Sequence, residues 1–328
     1  MPWRRTTPVL RSRHMSTVSN GPRADSKSGA ARGSAVKFSQ TKRGSNTLAA
    51  LALMAVPFAV YAAFMLYPLI RVFQLSLYKW DGLGYSTFVG FSNYIETFSN
   101  PRLLAAFSHA LILIIFYAVI PLCVGLVLAS LLTRSQIRGL GFFRTVVFLP
   151  QVIAMVVLAI AWRGIYAPDG PINGFLRAIG LGSLTRAWLG DFTFALPAVG
   201  LIGSWVSLGL VTVLLMSGMA AIPRDLYEAA MLDGAGRVRQ FFAITVPSVR
   251  AEIIVSLTLT IVAALKTFDL VYVTTSGGPG SATTVPSYEV YYQAFRIGEV
   301  GTASSLAVVL TLVIFLINLA LNLVGERE

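Results

Sequence analysis

Side chains that carry chemistry are sparse here, and they do not gather into a catalytic set. The 328 residues include 2 histidines and 1 cysteine. His14 lies in a polar stretch and His109 near the start of an apolar run. That is too little for a conventional metal cluster, so no metal site is expected. His109 is expected to be packed or interfacial. Cys123, inside an apolar run, is expected to be a small buried residue of little reactivity. The chain has no Gly-x-x-x-x-Gly-Lys-Ser/Thr phosphate loop, so it is not expected to hydrolyse ATP. Gly234-Ala-Gly236 is a fragment of a dinucleotide fingerprint without the third glycine or a preceding strand. No catalytic residue and no bound cofactor is expected on this chain. Two groups remain. One is the long polar run from Glu228 to Pro247. The other is Lys266, Phe268, Asp269 and Tyr272, with Trp205 upstream. Lys266 and Asp269 are three apart, on neighbouring positions of a helix face. They read either as a mutual or snorkelling ion pair near a membrane interface, or as the lining of a path. The aromatic side chains suit stacking on a ligand's ring faces, and equally lipid or helix packing.

The elements that hold these groups are apolar. The chain is 55% hydrophobic and only 12% charged, with a mean hydropathy of +0.72. A soluble domain is about a quarter charged, so the composition reads as an all-α polytopic membrane protein. The net charge of +12 concentrates in the N-terminal stretch and in alternate loops. That distribution fits the positive-inside pattern, and no nucleic-acid partner is expected. Residues 1–46 read as a disordered, basic cytoplasmic tail in which Arg4, Arg5, Arg11, Arg13 and Arg23 hold the N-terminus inside. Met15 is a possible true start, an idea that detection of residues 1–14 in the native protein would end. Residues 47–328 form the membrane domain.

Six spans are expected, at about 48–69, 104–132, 146–162, 194–220, 251–273 and 301–324, with both termini cytoplasmic. Pro57 and Pro68 should kink or end the first. Gly170 to Leu176 marks an outside turn before a short surface helix, and the run from Tyr288 to Phe295 a second one. On a continuous fifth helix Asp269 would lie roughly 27 Å from its start, near the outer interface.

Residues 221–250 should form a helix–turn–helix on the inner surface. Pro223 suits a helix start and Asp225 complements the dipole there. Gly234 can take φ > 0 and stop the first helix. Val238, Phe241, Phe242 and Ile244 then make an apolar stripe on a second helix that ends at Pro247.

The run Glu228-Ala229-Ala230, Gly234 six residues after the glutamate, and then Ile244 and Pro247 resembles the cytoplasmic coupling loop of ABC-importer permease subunits. More narrowly it resembles the maltose-type carbohydrate permeases. Val246 stands where Leu is usual and Arg250 where a second Pro is common. Other family-like phrases are Tyr67-Pro68-Leu69, Gly90-x-x-Asn93-Tyr94, Arg144 with Phe148-Leu149-Pro150, and Phe268-Asp269 before Gly277-Gly278-Pro279-Gly280. The resemblance covers the chain from about residue 48 onwards.

The resemblance implies the ABC-importer permease fold in the cytoplasmic membrane. It implies import of a mono- or oligosaccharide by alternating access, powered by ATP and Mg on partner ATPase subunits. The partners implied are a second homologous permease, an ATP-binding cassette dimer, an extracytoplasmic solute-binding protein and membrane lipid. The residues it marks for ATPase coupling are Glu228, Ala229, Ala230, Asp233, Gly234, Ile244 and Pro247. Trp205, Lys266, Phe268, Asp269 and Tyr272 are candidates for the translocation path. The alternatives are a glycerol-3-phosphate-type permease of the same family, which would favour cationic path residues such as Lys266, and a self-contained secondary transporter. The latter normally needs an inverted repeat or several intramembrane ionisable residues.

Overall fold

A computed structural model describes residues 43–134 and 139–325. The expected basic tail up to residue 42, Arg138 and residues 326–328 lie outside the described residues. The chain divides into two units, residues 1–57 and 58–328. The described part of the first is helical.

In chain order, α1 is Arg43–Tyr61 and α2 is Tyr67–Leu75, with a π-turn over Ala62–Leu66. A two-stranded hairpin pairs β1 (Tyr78–Lys79) with β2 (Thr87–Phe88), Tyr78 opposite Phe88. Asp81 shapes its turn by accepting the N–H groups of Leu83 and Gly84. Those bonds, Gly84 first, hold its carboxyl below the usual carboxylate range. Next come α3 (Ser92–Ser99) and α4 (Pro101–Ile114), the latter capped by the Asn100 side chain on the Arg102 N–H at 3.0 Å. A π-turn over Ile115–Val119 leads into α5 (Ile120–Arg134). Then follow α6 (Leu140–Val152), α7 (Met155–Ile165), α8 (Pro171–Ala178) and the long α9 (Ala195–Ala220). The inner loop holds α10 (Arg224–Leu232), α11 (Arg237–Gln240), a π-turn over Phe241–Thr245, and α12 (Val246–Ser248). The rest is α13 (Arg250–Leu265), α14 (Asp269–Thr274), α15 (Pro286–Tyr292), a π-turn over Gln293–Ile297, and α16 (Val300–Gly325).

Four of the described helical stretches are long and apolar enough to cross a membrane: Leu51–Leu75, Pro101–Thr133, Ala195–Ala220 and Val300–Leu323. Two bent pairs, α6 with α7 at 97° and α11–α12 with α13 at 69°, bring the candidates to as many as six if each pair is one span. The third span is therefore not the single rod expected over 146–162. Extended backbone at Ile153 breaks it just after Pro150, whose ring and missing N–H weaken the preceding turn. The fifth span is not continuous over 251–273 either. α13 stops at Leu265, and Asp269 opens the separate α14.

Prolines also explain three of the π-turns. Those at 62–66, 115–119 and 241–245 each end two residues before a proline, Pro68, Pro121 and Pro247. Proline offers no N–H and crowds the carbonyl four residues back. The turn before it widens, and the N–H groups of Tyr67, Ile120 and Val246 reach back five residues. Pro68 thus widens its helix rather than ending it, and Pro57 lies inside α1.

The core is built on α9, which packs against α5, α6, the π-turn at 115–119 and α13. Glycines let it do so. The Phe116 and Tyr117 rings occupy the space that a Cβ would fill at Gly200 and Gly203. Ser204 Oγ donates to the Phe116 carbonyl at 2.6 Å. Asn93 explains the Gly90-x-x-Asn93-Tyr94 phrase: its amide donates to the carbonyls of Ser76 (2.8 Å) and Tyr78 (3.0 Å). That fixes α3 under the hairpin. Cys123 is exposed, not buried. An apolar membrane helix keeps one side turned away from its own bundle, and Cys123 is on that side. In the run from Tyr288 to Phe295, Tyr288 belongs to the core beside Leu270 and Val285, while Phe295 is exposed.

Candidate functional site

The helix–turn–helix is exposed and locally self-sufficient. Pro223 is the N-cap of α10 and Asp225 lies in its first turn. Asp233 is the C-cap, and Gly234 takes φ +76°. The Gly234 N–H bonds the Met231 carbonyl at 3.0 Å, and the Ala235 N–H bonds the Ala230 carbonyl at 2.8 Å. That pair of bonds is a Schellman closure, which needs a residue at positive φ where Gly234 stands. The spacing from Glu228 to Gly234 is thus the length of the last helical turns plus the closure. Buried Gln240 donates to the Ala235 carbonyl at 2.8 Å and holds the turn from behind. Tyr227 and Thr245 share a hydrogen bond of 2.9 Å, tying α10 to the following π-turn.

Glu228, Ala229, Asp233 and Pro247 are exposed, while Ala230 and Ile244 are half-buried. Leu232 is 90% exposed, Val238 72% and Phe242 66%. Of the expected stripe, Val238 and Phe242 are turned outward, while Phe241 and Ile244 are half-buried. Beneath α10 lies a cavity of about 490 Å³ whose lining includes Arg144, Arg224, Tyr227 and Glu228.

The second group is centred on the break after α13. Lys266 caps α13, and Thr267 is held from two sides. Its hydroxyl bonds the buried Tyr117 hydroxyl at 3.1 Å, and its carbonyl accepts the Ser287 hydroxyl. Lys266 and Phe268 line an open cavity of about 500 Å³ with Ser287, Tyr291, Phe295 and Thr311. Phe268 stacks on Tyr272 at 5.3 Å, and both rings touch Tyr291. The other two candidates stand apart. Trp205 packs edge-on against Trp162 at 5.5 Å and does not line this cavity. Asp269 is exposed at the start of α14 and makes no ion pair with Lys266. The break at 266–268 removes the single helix face that such a pair requires.

Sequence reasoning missed the ion pair between Arg102 and the fully buried Glu289, at 2.8 Å. It joins α4 to α15 across 187 residues of sequence, a separation that leaves no local pattern. His109 is packed as expected, its Nδ1 2.8 Å from the Thr284 carbonyl.

Residues 122–327 match the family described as "Binding-protein-dependent transport system inner membrane component". The chain belongs to this family. It is the non-catalytic, multi-span inner-membrane permease of a binding-protein-dependent ABC importer. This permease is 39% identical over 278 residues to the probable ABC transporter permease protein YurN of Bacillus subtilis, covering 84% of this chain and 94% of that one. It is 32% identical to the diacetylchitobiose uptake system permease protein NgcF of Streptomyces coelicolor, over 82% and 81% of the two chains. Its fold matches a crystal structure of a bacterial ABC transporter that imports the acidic polysaccharide alginate. That match has a TM-score of 0.74 and 21% identity, and covers 87% of this chain and 99% of the other.

Proposed function

We propose that this permease imports a carbohydrate, as one of two related membrane chains driven by an ATPase dimer that docks on residues 221–250. The observation that carries the reading is the helix–turn–helix itself. It is closed by its own hydrogen bonds yet shows Leu232 and Val238 to solvent. Apolar side chains on a prefolded element are what a partner's cleft would cover. Glu228 is placed for a charge-assisted contact with a basic group of that partner. α10 follows the core helix α9 through residues 221–223, so a push on the turn is transmitted to α9 along the chain. ATP and Mg stay on the partner. The sugar reading is supported by relatives named for sugar uptake and by the aromatic wall of Phe268, Tyr272 and Tyr291 beside the cavity. Such rings stack on the apolar faces of pyranoses, with Ser287, Thr311 and Lys266 supplying polar contacts.

Purification of a C-terminally tagged chain in mild detergent, with mass spectrometry of what accompanies it, tests this. An ATPase, a second permease and a solute-binding protein whose ligand is a saccharide are expected. A chain that purifies alone and moves solute in liposomes without ATP would overturn the reading.

A further inference from the structure

The exit of the helix–turn–helix into the membrane bends by 69° between α12 and α13. Ser248, Val249 and Arg250 occupy the bend, and none of them is a proline. Fully buried Val249 anchors it from inside, packed with Val211, Leu215, Met216 and Met219 of α9. On the same turn of α13, Glu252 reaches Gly218. A Cβ placed on Gly218 would lie 2.7 Å from each of the Glu252 carboxylate oxygens. The carboxyl group therefore fills the volume that any side chain at 218 would take. Glu252 is half-buried and, among the described residues, forms no hydrogen bond or ion pair. Its position in the first turn of α13 favours a negative charge there. A flat, two-oxygen group on a bare glycine Cα lets the backbones of α9 and α13 approach more closely than branched side chains allow.

Gly218 lies three residues before the loop starts at 221, and Glu252 two residues after it ends at 250. The contact thus closes the base of the loop. We propose that Glu252 seated on Gly218 is a positioning contact that makes α9 and α13 move as one when the ATPase displaces the turn. This rests on the coupling role proposed above. Without the seat, the turn could move while the two helices slip past each other, and ATP would be hydrolysed with less conformational change in the membrane.

The test uses the assembled transporter in liposomes, with Cys123→Ser and a reporter cysteine, Ala307→Cys, in the cavity wall. The rate of reaction with a membrane-impermeant maleimide is compared without nucleotide and after trapping with ATP and vanadate. ATP hydrolysis is measured in parallel. With Gly218 and Glu252 intact, trapping should change the labelling rate by about tenfold. Gly218→Ala, which evicts the carboxyl, and Glu252→Ala, which empties the seat, should each reduce that change to about twofold or less while hydrolysis continues. The double variant, whose new methyl refills the space, should regain most of the change, and Glu252→Gln, with the same shape, should keep it. Singles that respond like the parent, a double no better than either single, or a Gln variant as impaired as the Ala variant would each overturn the inference. Should Gly218→Ala fail to assemble, the comparison of Glu252→Ala with Glu252→Gln still decides. If the parent itself shows no change on trapping, the coupling role proposed above fails instead.

Discussion

Gly234 gives the sharpest test of the helix–turn–helix. At φ +76° it occupies the left-handed region, and nothing lies within 4 Å of a Cβ placed there. An alanine would meet no neighbour, so its cost is backbone strain alone, about 1–2 kcal/mol. That is about a 5- to 30-fold loss in the population of the closed turn. Asparagine tolerates this region and should cost little. Proline is different in kind. Its φ is fixed near −65°, and it removes the N–H that bonds the Met231 carbonyl. The turn should then not form at all. The four forms should reach the membrane in equal amounts, because the turn buries almost nothing. Retention of the ATPase on the tagged permease in detergent should fall in the order Gly, Asn, Ala, Pro, with ATP-driven uptake following. A proline variant that keeps its ATPase and its transport would refute the reasoning. So would an alanine variant as impaired as the proline one, since strain without a lost hydrogen bond cannot be that large.

Other consequences can be checked by thermal unfolding in detergent. Arg102→Met should lower stability by about 3 kcal/mol, because it leaves the buried Glu289 carboxylate unpaired, and adding Glu289→Met should recover much of that. Asn93→Leu should cost about 2–3 kcal/mol, since the Ser76 and Tyr78 carbonyls lose their donor in a buried site. Gly203→Ala, where a Cβ would meet the Tyr117 ring at 2.6 Å from Cδ2, should cost about 1–3 kcal/mol, and shortening the ring with Tyr117→Leu should relieve it. Thr267→Val should loosen the break after α13, giving faster hydrogen exchange at residues 266–268 with little change elsewhere.

The parts legible in sequence are those set by local chemistry. Apolar runs marked the spans, because a helix in lipid must be apolar along its length. Gly234 announced its closure, since few residues tolerate that backbone. The breaks were harder. Nothing in Lys266-Thr267-Phe268 resembles a helix stop, and the interruption is held by Tyr117 and Ser287, far off in sequence. The 97° bend in the third span had a visible proline, Pro150, but a proline in a membrane helix does not by itself say whether the helix will widen, bend or continue. Asp269 looked like a partner of Lys266 only on an unbroken helix, and Trp205, on α9, packs against Trp162 instead of lining the cavity. Cys123 was misplaced for a different reason. Hydropathy separates water from everything else, and does not distinguish lipid from protein interior.

The π-turn at 115–119 has a consequence for phase. A π-turn absorbs one extra residue, and one residue of α-helix corresponds to a rotation of about 100°. Residues before and after it therefore belong to two angular registers, so a helical wheel drawn straight through from Pro101 to Arg134 would misassign one half. Ala110 and Ala129 both face protein only because the widened turn resets the count between them. A change that let this turn relax to α, such as Pro121→Ala with its neighbours free to repack, would do more than straighten the helix. It would swing the far half by about 100° about its own axis, turn part of its buried side outward, and carry Cys123 around with it.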